Sequence, residues 1–198
     1  MPARDRATPR SLHAQAIGEL QFIRSTMERA TTFTAVPGWG GVVIGVTALA
    51  ATPIAGTPDG TRWLTVWLGE AVLAIAIGVA AMRRKAHVNG TSLSTAPARR
   101  FLLAYLPPMA AGAVLTAVFA RIGRIESLPG CWLLLYGVAL TTGGSFSVPV
   151  VAVMGLVFMA LGSAASLGPA GWGPWLMAAG FGGVHIGFGL VIARRFGG

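Results

Sequence analysis

Apolar and polar positions along this chain fall into long blocks rather than short alternations. After a polar and amphipathic stretch over residues 1–35, six apolar runs follow, at about 36–54, 63–82, 101–120, 131–147, 149–166 and 175–193. A helix rises ~1.5 Å per residue, so about 20 residues cross the ~30 Å hydrocarbon core of a bilayer. Blocks of this length predict an all-α integral membrane protein: a bundle of about six transmembrane helices over residues 36–198. The fourth and fifth runs are the shortest, and only Gly143-Gly144-Ser145-Phe146-Ser147-Val148 lies around their junction. Two arrangements fit that junction, a tight hairpin of two full spans or a pair of half-helices returning to one side; the hairpin is favoured.

The first 35 residues follow a different rule. Ala16, Leu20, Ile23, Met27 and Ala30 recur at steps of four and three, with Gln15, Glu19, Ser25 and Glu28 mainly on the other side. That period predicts an amphipathic helix at the N-terminus. Two heptads are too few for a coiled coil. Such a helix suits the membrane surface, with its arginines near anionic head groups, or a cytoplasmic protein partner docking through residues 11–32. No short apolar leader is expected, and the first long run would act as an anchor that stays on the chain.

Composition changes the picture in one respect. Of the 198 residues, 54% are apolar and 11% charged, against about 25% charged for a soluble domain. The net charge of +9 is therefore not a nucleic-acid footprint, because the basic residues lie between the apolar runs and no aromatic residues interleave with them as in a nucleic-acid groove. Their distribution is topological. If six spans alternate, twelve Lys and Arg residues fall on one side (Arg4, Arg6, Arg10, Arg24, Arg29, the 83–100 segment, Arg194 and Arg195) and three on the other (Arg62, Arg121, Arg124). The positive-inside rule then places both termini in the cytoplasm.

Residues 22–45 include Met27-Glu28-Arg29-Ala30 and Phe33-Thr34-Ala35-Val36-Pro37-Gly38-Trp39-Gly40-Gly41. This segment resembles the start of a group of uncharacterised bacterial multi-pass membrane proteins. The resemblance implies a bacterial inner (cytoplasmic) membrane and no particular activity, cofactor or site residue. Its physics is legible directly. Pro37 suits a helix start, where its missing N–H costs little. Gly41 and Gly45 form a GxxxG pair that lets another backbone approach, inside the monomer or in a homo-oligomer. Gly38-Trp39-Gly40 and Gly171-Trp172-Gly173 open the first and last spans, but a matching tripeptide is thin support for an internal repeat.

An ionisable group inside a span is expensive and by default suspect. Two candidates exist: Glu70 in the second run and His185 in the sixth. Counted from Trp63 and Trp175, they lie about 10 and about 15 Å deep at ~1.5 Å per residue, close enough in depth to share an intramembrane polar site if their helices are neighbours. A buried carboxylate takes up a proton or finds a partner. His185 sits in a small-residue seam of Ala179, Gly183 and Gly187 and should face another helix. No metal or haem site is expected, since His13 and His87 lie outside the spans and two ligands at depth are too few. Cys131 reads as a small apolar side chain. Pro107-Pro108 predicts a kink in the third helix, a hinge if the protein moves. Hydroxyls on the fourth and fifth runs (Tyr136, Thr141, Thr142, Ser145, Ser147, Ser163, Ser166) can line a cavity or bond back to their own helix.

No nucleophile elbow, HExxH pair, phosphate loop or CxxC motif occurs. The first functional reading is accordingly a non-enzymatic accessory or regulatory membrane module, and the second a small proton-coupled transporter or channel using Glu70 and His185. A lipid-modifying intramembrane enzyme ranks third. The first two predict different interiors: a dry packed bundle, or a cavity reaching Glu70 and His185.

Overall fold

A computed structural model describes residues 17–20, 23, 27, 32–58, 60–90, 92–169 and 171–197. The chain divides into two units, Met1–Thr32 and Phe33–Gly198. In the first, 17–20, Ile23 and Met27 are helical, and Ile17, Leu20, Ile23 and Met27 are exposed. The remainder of the expected amphipathic helix, and with it most of the 11–32 docking segment, lies outside the described residues.

The second unit is all-α. Six helices are long and apolar enough to cross a membrane, and the protein is a multi-pass membrane bundle. They are α1 (Gly38–Ala55), α2 (Thr61–Val88), α3 (Ala96–Arg121), α4 (Leu128–Gly144, preceded by a 3-10 turn Ile125–Ser127), α5 (Pro149–Leu167) and α6 (Trp172–Phe196). Proline sets several starts, where a missing N–H is harmless: Pro37 precedes α1, Pro97 sits in the first turn of α3, Pro129 in that of α4, and Pro149 opens α5. Thr95 caps α3 by accepting from the Ala98 N–H at 3.4 Å. Gly171, in the left-handed region at φ 95°, turns the chain into α6 as only glycine does without strain.

Two of these helices are longer than the apolar pattern alone predicts. The polar segment 83–100 is not one loop: α2 continues to Val88 and α3 starts at Ala96, leaving 89–95 as the connection. Arg83, Arg84, Arg99 and Arg100 therefore sit on helix ends, where side-chain length lets charge reach the head-group level, while Lys85 beside them is buried. The fourth and fifth helices form an antiparallel hairpin packed along its whole length, joined by the short turn 145–148.

The bundle is an open ring. α1 packs between α2 and α6, α4 packs between α5 and α3, and α6 joins the two groups through α5 and α4. α2 and α3, although consecutive, do not pack along each other. Two of the antiparallel pairs are built on glycines seven residues apart. In α4 and α5 these are Gly130, Gly137 and Gly144 against Gly155 and Gly162; a Cβ on Gly137 would lie 2.7 Å from the Gly155 carbonyl oxygen, and one on Gly162 would lie 2.6 Å from the Leu134 nitrogen. In α1 and α6 they are Gly38 and Gly45 against Gly182 and Gly189; a Cβ on Gly45 would lie 2.6 Å from the Gly182 carbonyl oxygen and one on Gly189 2.8 Å from that of Gly38. In lipid, where the hydrophobic effect does not draw helices together, such backbone contact supplies the packing.

Gly45 thus contacts α6 as close packing requires, and Gly41 meets Gly189 and the His185 carbonyl at ordinary van der Waals distance. The seam expected at Gly183 and Gly187 is displaced: a Cβ on either meets nothing within 4 Å, and the contacts fall on Gly182 and Gly189 instead. Gly182 and Gly189 stand seven residues apart, about two helical turns, and so share one face; a π-helical segment, Ala178–Val184, ends between them.

The end of the bundle where α1 starts is called proximal. There the strand-like approach to α1 is tied to the α4–α5 turn. The Phe33 N–H donates to the Phe146 carbonyl at 2.8 Å, and the Ser147 hydroxyl donates to the Phe33 carbonyl at 2.7 Å. Lys85, only 5% exposed, donates from Nζ to the carbonyls of Val36 (2.9 Å) and Gly197 (2.5 Å). One ammonium thus joins the end of α2, the approach to α1 and the end of α6.

The glycine contacts give a paired prediction. Gly137→Ala should destabilise the detergent-solubilised protein by about 1–3 kcal/mol, the usual cost of overpacking, whereas Gly183→Ala should change stability by no more than about 0.5 kcal/mol. Denaturant unfolding of both variants checks it; equal losses would contradict the assigned faces.

Candidate functional site

The gap between α2 and α3 leads into a cavity of about 610 Å³. Its outer rim is apolar: Leu68, Ile75 and Val79 from α2 face Leu102 and Leu106 from α3, all exposed, Ile75 by 65%. Aromatic groups border it further in: Trp67, Phe101, Tyr105, Trp132, Tyr136 and Phe181. At the distal end Trp132 stacks on Trp63 with centroids 5.2 Å apart and donates from Nε1 to the Thr116 hydroxyl at 2.8 Å, linking α2, α4 and α3. At the proximal end Phe33, Phe101 and Tyr105 stack in sequence, with centroid distances of 5.0 and 5.7 Å.

Both intramembrane candidates from the sequence border this cavity. Glu70 is 9% exposed, and its Oε1 accepts from the Thr47 hydroxyl of α1 at 2.8 Å. The same hydroxyl can turn to the Ile44 carbonyl at 2.9 Å. Since a hydroxyl carries one proton and two lone pairs, it can donate to a carboxylate or, turned to Ile44, accept from a neutral carboxyl. Thr47 therefore partners Glu70 in both charge states.

His185 is 4% exposed. Its Nε2 lies 2.8 Å from the Tyr136 hydroxyl of α4, and its ring packs edge-on to Phe158 (5.3 Å) and roughly parallel to Phe181 (6.1 Å). The His185 imidazole lies near the carbonyls of Gly180 and Phe181, and its buried Nδ1 makes no hydrogen bond of full geometry. These carbonyls belong to the π-helical segment, a feature often found where a helix presents a functional group. Tyr105 stands edge-on to Tyr136 at 6.3 Å, so a row of polar tips, Tyr105, Tyr136 and His185, runs along the side of the cavity formed by α3, α4 and α6. Among the described residues no hydrogen bond or ion pair joins Glu70 to His185. They share a space, not a bond.

Pro107 and Pro108 lie within α3 without ending it, and Pro108 borders the cavity. Pro108 leaves the Ala104 carbonyl without its usual donor. The Thr142 hydroxyl of α4 lies 2.9 Å from that oxygen and can bond it, at the expense of its own-helix partner Val138. Of the other hydroxyls singled out, Ser163 and Ser166 bond back to Met159 and Gly162 of α5 and stand apart from the cavity. Thr47, Lys85 and Trp67 were not legible as site or tie residues, because none belongs to a spacing motif; only the contacts reveal them.

Among the described residues no group of three or more His, Cys, Asp or Glu could hold a metal ion, and no Ser, Cys or Asp borders the cavity. No family model, curated protein or solved structure matches the chain. The functional reading rests on this geometry.

Tyr136→Phe should strip His185 of its Nε2 partner and cost about 1–2 kcal/mol of stability, read by denaturant unfolding in detergent. No loss would mean the imidazole is held by ring packing alone.

Proposed function

We propose that the protein is a small proton-coupled transporter of a bacterial inner membrane, with Glu70 as its coupling group. The observation that carries this reading is a drug-sized cavity within the membrane-spanning bundle, bordered by His185 and by Glu70, its sole acidic residue among the described residues. A packed accessory module has no use for such a space. A carboxyl there is costly when charged, which is the property a coupling site exploits: it holds either a proton or something that replaces it. The Thr47 rotor accommodates both conditions, and Pro107-Pro108, re-satisfied in part by Thr142, offers a segment of α3 that can flex beside the opening.

Charge supports the orientation. Arg83, Arg84, Lys85, Arg99, Arg100, Arg194 and Arg195 gather at the proximal end, against Arg62, Arg121 and Arg124 at the distal end. By the positive-inside rule the proximal end and both termini are cytoplasmic. The resemblance of residues 22–45 to bacterial multi-pass proteins supports the choice of membrane.

The test uses proteoliposomes holding an imposed pH gradient and a trapped pH-sensitive dye. A panel of lipophilic cations, anions and neutral compounds is added in turn. The reading expects at least one compound to dissipate the gradient through the wild-type protein and not through Glu70→Gln. If no compound moves protons, or if Glu70→Gln moves them equally well, the transporter reading is lost.

A further inference from the structure

Resting on the reading of Glu70 as the coupling group, we infer that the cavity binds a lipophilic monovalent cation, admitted from the bilayer between α2 and α3, whose charge pairs with the Glu70 carboxylate.

Charge complementarity carries the argument. The groups bordering the cavity that can titrate are Glu70 from α2, Tyr105 from α3, Tyr136 from α4 and His185 from α6; α1 contributes the neutral Thr47 to the carboxyl, and α5 contributes Val151 and Met154 to the wall. Among the described residues no Lys or Arg borders it. The only permanent charge this set can carry without paying for a buried imidazolium is one negative charge, on Glu70. An anionic ligand would meet that charge with no cation to offset it. A doubly charged cation would leave one charge unpaired in an apolar space, at a large cost.

Aromatic faces strengthen the assignment. Trp67, Tyr105, Trp132, Tyr136 and Phe181 border the same space, and the negative face of an aromatic ring attracts a desolvated cation, most strongly for Trp. Apart from Phe101 and Thr116 the remaining walls are aliphatic, so the body of the ligand must be apolar; a small hydrated cation would lose its water shell and gain little matching contact. A volume of about 610 Å³ suits a molecule of drug size. The opening faces the lipid-exposed surfaces of α2 and α3, so the route runs from the hydrocarbon phase, where lipophilic cations concentrate.

The exchange step balances. With the site empty, Glu70 holds its proton and hydrogen-bonds to Thr47. As the cation arrives, the carboxyl releases one proton to water and the resulting carboxylate pairs with the cation. Reprotonation reverses the step and frees the ligand. One proton is exchanged for one positive charge, so the cycle moves no net charge.

The probe is tetraphenylphosphonium, titrated calorimetrically into the full-length detergent-solubilised protein, with tetraphenylborate as the anion of the same shape. Saturable binding of the cation is expected, with about one proton released per cation in weak buffer. Binding should weaken as pH falls and should weaken at least about tenfold in Glu70→Gln, as loss of one partner of a buried ion pair implies. Glu70→Asp keeps the charge one methylene shorter and should retain binding and proton release at reduced affinity, which answers the case in which Glu70→Gln fails to fold. Equal binding of tetraphenylborate, undiminished binding by folded Glu70→Gln, or binding without proton release would overturn the inference. If the cation does not bind but another compound moves protons through Glu70, the substrate class falls and the transporter reading stands. If the cation binds as described but no compound is transported, the site stands and the transporter reading falls.

Discussion

Backbone-to-backbone contact between glycine-bearing helices shapes this molecule. A Cβ at Gly45, Gly137, Gly162 or Gly189 would collide with a neighbouring backbone, so α1 with α6 and α4 with α5 approach as closely as helices can. α2 and α3 carry no such glycines. Gly69 meets nothing within 4 Å, while Gly78 and Gly112 meet only single side-chain atoms at van der Waals distance. Each packs on one tight pair, and they are held apart from each other. The cavity follows from that asymmetry: two pairs close on glycine-to-backbone contact, and the two remaining helices stand across a gap that lipid-sized molecules can fill.

Several polar groups inside are partnered from another helix. Thr142 reaches the carbonyl that Pro108 leaves open, Tyr136 meets His185, and Thr47 meets Glu70. At the proximal end Lys85 bonds the carbonyls of Val36 and Gly197, and Ser147 bonds that of Phe33. These bonds join elements far apart in sequence, and each replaces water that the membrane does not supply. Glu70 differs from the rest. Its second oxygen makes no hydrogen bond within the described residues, and its charge can be balanced only by a proton or a ligand.

Much of this was legible in the sequence, and the reason is physical. Six spans follow from run length because a lipid-exposed helix needs an unbroken apolar stretch. Glu70 and His185 stood out because charge at depth is rare. What the sequence hid depends on rotation about helix axes. The small-residue face of α6 lies on Gly182 and Gly189 and not on Gly183 and Gly187; both pairs fit a helical period, and only the contact with α1 chooses between them. The seven-residue recurrence of Gly130, Gly137 and Gly144, matched by Gly155 and Gly162, was present in the sequence and was the available signal for the α4–α5 contact. The extension of α2 to Val88 was hidden because basic residues end an apolar run without ending a helix. Lys85 consequently read as loop charge, when it is the buried tie of three segments.

The central claim is that ligands and reagents reach Glu70 from lipid, through the space between α2 and α3, while only protons exchange with water. Reaction with dicyclohexylcarbodiimide tests it directly. A neutral carboxyl adds across a C=N bond of this lipid-soluble reagent, and in a dry site the O-acylisourea so formed rearranges to a stable N-acylurea that peptide mass spectrometry locates. In membranes the account predicts modification at Glu70, slowed by tetraphenylphosphonium, with little reaction there by a water-soluble carbodiimide. An unmodified Glu70 in folded protein, or equal labelling by the water-soluble reagent, would contradict it.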